Sequence, residues 1–277
     1  MTAKKEGFLF SATDPSEVFS DDQINTIVIA TRHDSHADLV LEALNAGKHV
    51  FVEKPLSINL SDLEAIEQSL ESTSSQVMVG FNRRFSPLTI KVKELLDPIK
   101  TPKSILITVN AGYIAHDHWT QHPELGGGRI VGEACHFIDL MRHLIGHEIS
   151  FLDASGLGNT ARNNGDSASI TINFKDGSLG TIMYLSDGSN KFPKERVEIF
   201  SSGGILQLDN FKSLRGYDWP GFRKMSLMKQ DKGQIAAVKD FLDSLESGIA
   251  SIDIKEILEV SYATLRANEK IKGKIKP

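Results

Sequence analysis

Asn25-Thr26-Ile27-Val28-Ile29-Ala30 is the stretch on which the fold reading turns. It is a short, continuous apolar run rich in β-branched residues, the pattern of a strand buried on both faces of a parallel sheet. Just downstream, Asp34 and Ser35 offer a helix N-cap. Ala37, Leu39, Val40, Leu41, Ala43 and Leu44 then form a helical apolar stripe that stops before Gly47. Residues 48–52 read as a second strand, and Pro55 forbids its regular continuation. Ser61-Asp62 is read as the cap of a second helix carrying Leu63, Ile66 and Leu70, and residues 76–80 as a third strand. Strands joined by helical crossovers of this length imply an α/β fold with a parallel sheet and right-handed connections.

The second half has a different rhythm. Residues 104–109, 150–157, 167–174, 180–186 and 195–200 alternate or run apolar between turn residues, with Lys175-Asp176-Gly177 as a hairpin signal. They predict an antiparallel or mixed sheet. Between its first two strands, residues 133–145 carry a helical stripe of Ala134, Phe137, Ile138, Met141, Leu144 and Ile145 that ends at Gly146. Residues 234–245 and 254–270 predict closing helices. The domain boundary is expected within residues 87–101, giving domains 1–100 and 101–277.

The chain has 277 residues, 40% of them hydrophobic and 24% charged, which is ordinary for a globular protein with a real core. Lys and Arg total 31 against 36 Asp and Glu, a net charge of −5, so no overall basic field exists to attract nucleic acid or anionic lipid. Its apolar runs fall far short of the ~20 residues a membrane helix needs, and the opening MTAKKEGFLF lacks a signal-peptide core, so a cytoplasmic location is expected. Cys135 is the single cysteine, which excludes an internal disulfide and a paired-cysteine zinc site. His116, His118 and His122 cluster without the spacing of a strong motif, and no metal is expected there.

In an open parallel sheet, ligands bind beyond the carboxyl ends of the strands. Three polar clusters fall at such ends: Thr31-Arg32-His33, Glu53-Lys54-Pro55 and Asn82-Arg83-Arg84. Taken alone, Lys54 reads as a solvated surface amine; the convergence of the three clusters gives it weight. The runs Ile29-Ala30-Thr31-Arg32-His33-Asp34-Ser35-His36, Lys48-His49-Val50-Phe51-Val52-Glu53-Lys54-Pro55 and Gly80-Phe81-Asn82-Arg83-Arg84-Phe85 resemble the Gfo/Idh/MocA family of nicotinamide-dependent oxidoreductases. So does Gly126-Gly127-Gly128-Arg129 leading to His136-Phe137-Ile138-Asp139. The motifs stand in family order and the resemblance covers essentially the whole chain. It implies a Rossmann-type parallel sheet followed by an α+β domain with a large, open, mostly antiparallel sheet, and a homodimer or homotetramer.

By that resemblance Lys54 lies near the nicotinamide and the substrate hydroxyl and helps transfer a proton, which asks for a lysine pKa brought from about 10.4 toward roughly 7 to 8. His136 faces the same cleft and shares proton transfer or orients the substrate; its plainer reading is a satisfied helix histidine. Asp139, three residues on, is read as its supporting partner. Many members carry an aspartate four residues before this histidine, where Gly132 stands here. Glu133 either takes over that acidic role or is a first-turn glutamate favoured by the helix dipole. The resemblance places Thr31, Arg32, His33, His36, Glu53, Lys54, Pro55, Asn82 and Arg83 around NAD or NADP. It places Lys54, His118, Trp119, Arg129 and His136 around a sugar-like substrate, with Trp119 as a stacking or pocket-wall residue.

A complete member, by the same resemblance, begins with a strand, a Gly-x-Gly-x-x-Gly turn, a helix and a second strand. This sequence opens instead near what resembles the third strand, residues 7–12, so roughly sixty residues of the pattern, two ~30-residue βαβ units, are expected to be lacking. Losing two charge-assisted phosphate bonds at about 1.5 to 3 kcal/mol each would weaken cofactor binding about 10² to 10⁴-fold. The expectation is therefore a truncated Rossmann domain that holds NAD or NADP poorly by itself, with an exposed edge beside residues 27–30. Two functions follow: an NAD(P)-dependent oxidoreductase acting on a hydroxyl of a sugar, inositol or nucleotide-sugar, or a noncatalytic carbohydrate-binding or assembly protein derived from that family.

Overall fold

The continuous apolar runs of the first half do form a parallel sheet. In the computed structural model, which describes residues 5–158 and 165–273, Thr26–Ile29 (β1), His49–Val52 (β2) and Val77–Val79 (β3) pair in parallel in the order β1-β2-β3. The crossovers are the helices His36–Asn45 (α1) and Leu60–Leu70 (α2). Their starts differ in detail from the sequence reading. Asn59, not Ser61-Asp62, caps α2: its side-chain oxygen accepts from the Asp62 amide at 2.9 Å, and Ser61 itself donates to that oxygen. Ser35 precedes α1 without capping it, because its hydroxyl is engaged with the Thr31 hydroxyl and the Arg32 carbonyl.

Residues 7–12 form no strand, contrary to the expectation from resemblance. A strand needs a neighbour for its N–H and C=O groups, and β1 pairs only with β2 among the described residues. Phe8, Leu9 and Phe10 are consequently exposed, and Val28 is 67% exposed on one face of β1, so that strand is not buried on both faces as its apolar run predicts.

The second sheet has eight strands: Ser104–Asn110 (β4), Ile149–Gly156 (β5), Ala168–Phe174 (β6), Leu179–Leu185 (β7), Glu195–Ser201 (β8), Gly204–Asp209 (β9), Ser213–Tyr217 (β10) and Lys224–Ser226 (β11). Their order is β11-β10-β9-β8-β4-β7-β6-β5, antiparallel throughout except for β4 beside β7. The last three strands were not expected from the sequence. The turn between β9 and β10 uses Asn210 and Phe211 at φ 51° and 52°, a left-handed pair without the glycine that usually announces it.

Behind the second sheet runs the helix Cys135–Ile145 (α4), preceded by one wide π-type turn, Ile130–Ala134. Phe137, Ile138, Leu140 and Met141 are fully buried. Gly180 of β7 lies against Met141, where any Cβ would meet its sulfur. The linking helix Pro87–Leu96 (α3) joins the sheets, and the closing helices Gln234–Ser247 (α5) and Ile254–Ile271 (α6) return to the first of them. Phe241 of α5 packs on Phe51 of β2 with ring centroids 5.6 Å apart, and Tyr262 of α6 donates to Glu67 of α2 at 2.6 Å. The outer face of the eight-stranded sheet leaves Leu106 and Phe200 partly exposed. Among the described residues no helix is long and apolar enough to cross a membrane.

Gly233, at the start of α5, sits at φ 83° with its α-carbon against backbone, so that a Cβ would lie 2.5 Å from the Asn82 carbonyl oxygen. The Asn82 amide in turn donates to the Lys232 carbonyl at 2.7 Å. Gly233→Ala therefore meets both strain and collision. It is expected to destabilise the fold by about 2 to 3 kcal/mol in urea unfolding, against about 1 for Gly248→Ala, which has φ 73° but open space.

Candidate active site

The carboxyl ends of the three parallel strands face the start of α4 across a cavity of about 240 Å³, lined among others by His33, Lys54, Arg83, Trp119, Arg129, Glu133 and His136. Seven residues singled out in the sequence thus converge from the ends of β1, β2 and β3, from the loop before α4 and from α4 itself. At less than the 300–1,000 Å³ usual for drug-sized ligands, this space suits one small ring rather than a dinucleotide.

Lys54 is half-buried, and its Nζ donates to the Gly132 carbonyl at 2.8 Å. His136, from the first turn of α4, is 6% exposed and its Nδ1 is buried without a hydrogen-bond partner. Burial first, then the positive charges of Arg83, Lys54, Lys232 and Lys194, hold its pKa well below the usual value, so the ring is neutral at physiological pH. Asp139 does not support it. That carboxylate, fully buried, is bound instead to Arg84, whose guanidinium also reaches Glu256 at 2.9 Å. The i, i+3 spacing put Asp139 near His136, but Arg84 offers a bidentate, charge-assisted partner that a histidine cannot match.

Glu133 is the most heavily engaged carboxylate of the site. It accepts from Lys194 at 2.6 Å, from Arg129 at 2.9 Å and from the Tyr184 hydroxyl at 2.5 Å. Burial pushes its pKa up, but the Lys194 charge and these three bonds outweigh that and bring it to about 2. Arg129, 4% exposed, also donates to the carbonyls of Ala111 and Gly112, and its Nε is left without a partner. Beneath the cavity, Arg83 forms a two-pronged contact with Glu195, Nη2 to Oε1 at 2.8 Å, and Lys232 donates to the same oxygen at 2.9 Å.

His33 donates from Nδ1 to the Gly126 carbonyl at 2.8 Å and meets the Trp119 ring edge-on at 4.8 Å, while the Arg32 guanidinium lies 5.8 Å from the centre of that ring. His36 is a buttress below the cavity, its Nδ1 donating to the Pro55 carbonyl at 2.7 Å. Thr31 and Glu53 stand exposed at the strand ends. His118 is exposed and does not line the cavity; its Nδ1 engages Thr120. Among the described residues no group of three or more His, Cys, Asp or Glu could hold a metal ion. Buried Cys135, its thiol pushed up to about 12 by burial, is no nucleophile.

Residues 2–81 match the family model described as the Gfo/Idh/MocA oxidoreductase family, NAD-binding Rossmann fold, and residues 91–207 match that of the Gfo/Idh/MocA C-terminal domain. The chain belongs to the Gfo/Idh/MocA family. It is 26% identical over 275 residues to a myo-inositol 2-dehydrogenase of Thermotoga maritima, a match covering 92% of this chain and 81% of that protein. It is 30% identical over 195 residues to an NAD(+)-dependent scyllo-inositol 2-dehydrogenase of Bacillus subtilis, covering 65% of this chain and 54% of the relative. The fold is that of the crystal structure of an oxidoreductase domain protein from Kribbella flavida, with a TM-score of 0.87 and 22% identity over 99% of this chain and 85% of that one.

As a Gfo/Idh/MocA oxidoreductase the chain calls for a nicotinamide dinucleotide, and the cavity suits its nicotinamide end. It lies at the carboxyl ends of the parallel strands, it has room for a planar ring, and a neutral histidine and a lysine line it. Of the residues that the resemblance places around the cofactor, Thr31, Arg32 and Glu53 are exposed, whereas His33, His36, Pro55, Asn82 and Arg83 are buried.

Tyr184, Lys194, Glu195 and Lys232 were not found from the sequence. Glu195 did leave a signal there: it occupies the inward phase of β8 with Val197 and Ile199, a carboxylate where the alternation calls for an apolar side chain.

The site also sets a pH dependence. Burial brings the His33 pKa from 6.5 to about 4. The unfolded chain therefore takes up this proton first, and the stability His33 contributes is present above pH 6.5 and lost as pH falls toward 4. We expect a loss on the order of 2 kcal/mol, after allowance for solvent screening, between pH 7 and 4 in urea unfolding. In His33→Asn the fall over that interval is expected to be smaller by about that amount, His136 and His143, whose pKa values burial also holds below 6.5, carrying the rest; an unchanged slope would mean that His33 carries none of it.

Proposed function

We propose that the protein is an NAD(P)-dependent oxidoreductase that acts on a hydroxyl of a sugar, an inositol or a nucleotide-sugar. The observation that carries this reading is the meeting of Lys54, from the end of the parallel sheet, with neutral His136, from α4, in one cavity of single-ring size. A bound NAD⁺ or NADP⁺ supplies the acceptor for the hydrogen and electron pair that leave the carbinol carbon.

The chain's own residues handle the proton and the orientation. Lys54 spends one N–H on the Gly132 carbonyl, which fixes its Nζ and leaves its remaining positions for the substrate hydroxyl. His136, uncharged and lining the same cavity, can exchange a proton or a hydrogen bond with the same hydroxyl. Glu133 carries no proton at neutral pH; its part is to hold Lys194, Arg129 and Tyr184 in place around the ring. The Trp119 face, set by His33, forms the wall on which a sugar ring stacks. Residues 1–100 serve the cofactor and 101–277 the substrate and subunit contacts, and the outer face of the eight-stranded sheet is the surface for a homodimer or homotetramer.

The names of the inositol dehydrogenase relatives support the substrate class. The test is turnover of a panel of sugars and inositols followed by nicotinamide absorbance, with both cofactors. Reduction of NAD⁺ or NADP⁺ dependent on a polyol is expected; binding of polyols without any turnover would favour a noncatalytic carbohydrate-binding role.

A further inference from the structure

The charges around the cavity do not balance. Three cations line it, Lys54, Arg83 and Arg129, against one carboxylate, Glu133. Adding the groups bonded to these brings in Lys194 on Glu133, Glu195 on Arg83 and Lys232 on Glu195. That makes five cations to two carboxylates, both histidines of the cavity being neutral. Asp166, which accepts from Gln121 and Ser186 behind Arg129 and Tyr184, still leaves five against three.

Lys194 adjoins the cavity through Glu133: its side chain is 40% exposed, and among the described residues its salt bridge is to Glu133 alone.

We infer that the substrate is anionic, a monosaccharide-sized polyol carrying a carboxylate or phosphate that seats between Lys194 and Arg129, with its reacting hydroxyl toward Lys54 and His136. This rests on the oxidoreductase reading above. It gives the surplus of positive charge a counter-ion, and it separates the group that is recognised from the group that reacts.

The experiment compares D-galacturonate and galactose 6-phosphate with D-galactose and myo-inositol on the full chain. It uses calorimetric binding in the presence of NADH and turnover with NAD⁺ and NADP⁺. One or both anions are expected to exceed the neutral sugars in affinity and kcat/KM by about 10- to 100-fold, the worth of one charge-assisted hydrogen bond. That preference is expected to shrink in Lys194→Met and at high salt. A carboxylate-only or phosphate-only preference identifies which anion the site takes. Equal or better use of galactose or myo-inositol overturns the inference and leaves the oxidoreductase reading standing. If no member of the set binds or reacts while the folded chain binds NADH, both fail.

Discussion

Lys54→Met is expected to lower kcat/KM for the polyol substrate by about 10² to 10⁴-fold, the usual worth of a positioned proton-transfer group. The chain should stay folded, with a stability change of about 1 kcal/mol or less, because Lys54 is half-buried and its hydrogen bond is a single one to the Gly132 carbonyl. Methionine keeps the length of the stem and removes only the group that can hold a proton. The check is steady-state kinetics together with NADH binding: turnover collapses while cofactor affinity changes little. His136→Asn, which keeps a hydrogen-bonding group without the proton chemistry, should fall in the same direction by a smaller factor. Near-normal turnover in Lys54→Met would assign the proton elsewhere in the cavity.

The largest expected stability effect lies under the same cavity. Glu195 is 1% exposed and neutralises both Arg83 and Lys232. Glu195→Ala strands the Arg83 guanidinium in the protein interior, over the Phe137 ring at 4.8 Å, with no other carboxylate paired to it among the described residues. Breaking a buried pair from one side costs about 3 to 5 kcal/mol, most of it the penalty of the abandoned charge. The double variant Glu195→Ala/Arg83→Met removes that charge and is expected to be more stable than Glu195→Ala alone. Urea unfolding of the wild type and these two variants measures both. A single-variant loss below about 1 kcal/mol would show that water or a rearranged partner reaches Arg83.

The parallel sheet was legible because β1, β2 and β3 are each a short, unbroken apolar run, though only β2 and β3 are covered on both faces and β1 leaves Val28 exposed. The polar clusters at their ends were legible for the same reason: they stand where each run stops. What stayed hidden depended on partners far along the chain. Glu195 meets Arg83 across 112 residues and Lys194 meets Glu133 across 61, and no local period announces either contact. Asp139 shows the converse. Its spacing to His136 was visible, but a competing arginine at position 84 was the stronger partner, and only the packing of α4 against the turn after β3 reveals that choice. The missed strand β10 follows a turn at Asn210 and Phe211 whose residues carry no turn chemistry beyond asparagine.

Among the described residues β1 pairs only with β2, and Phe8, Leu9 and Phe10 are exposed. They also make cofactor affinity the quantity to establish before any substrate is screened.

The central claim is that this chain moves hydrogen between a carbinol carbon and a nicotinamide through the Lys54 and His136 cavity. Its most direct test is incubation of the full chain with NAD⁺ or NADP⁺ and a panel of polyols and sugar acids deuterated at the carbinol carbons. The reduced cofactor is then analysed by mass spectrometry. The account predicts that deuterium appears in the reduced nicotinamide with the wild-type chain and is lost in Lys54→Met. Cofactor and polyol both bound, with no label transferred by the wild-type chain, would contradict it.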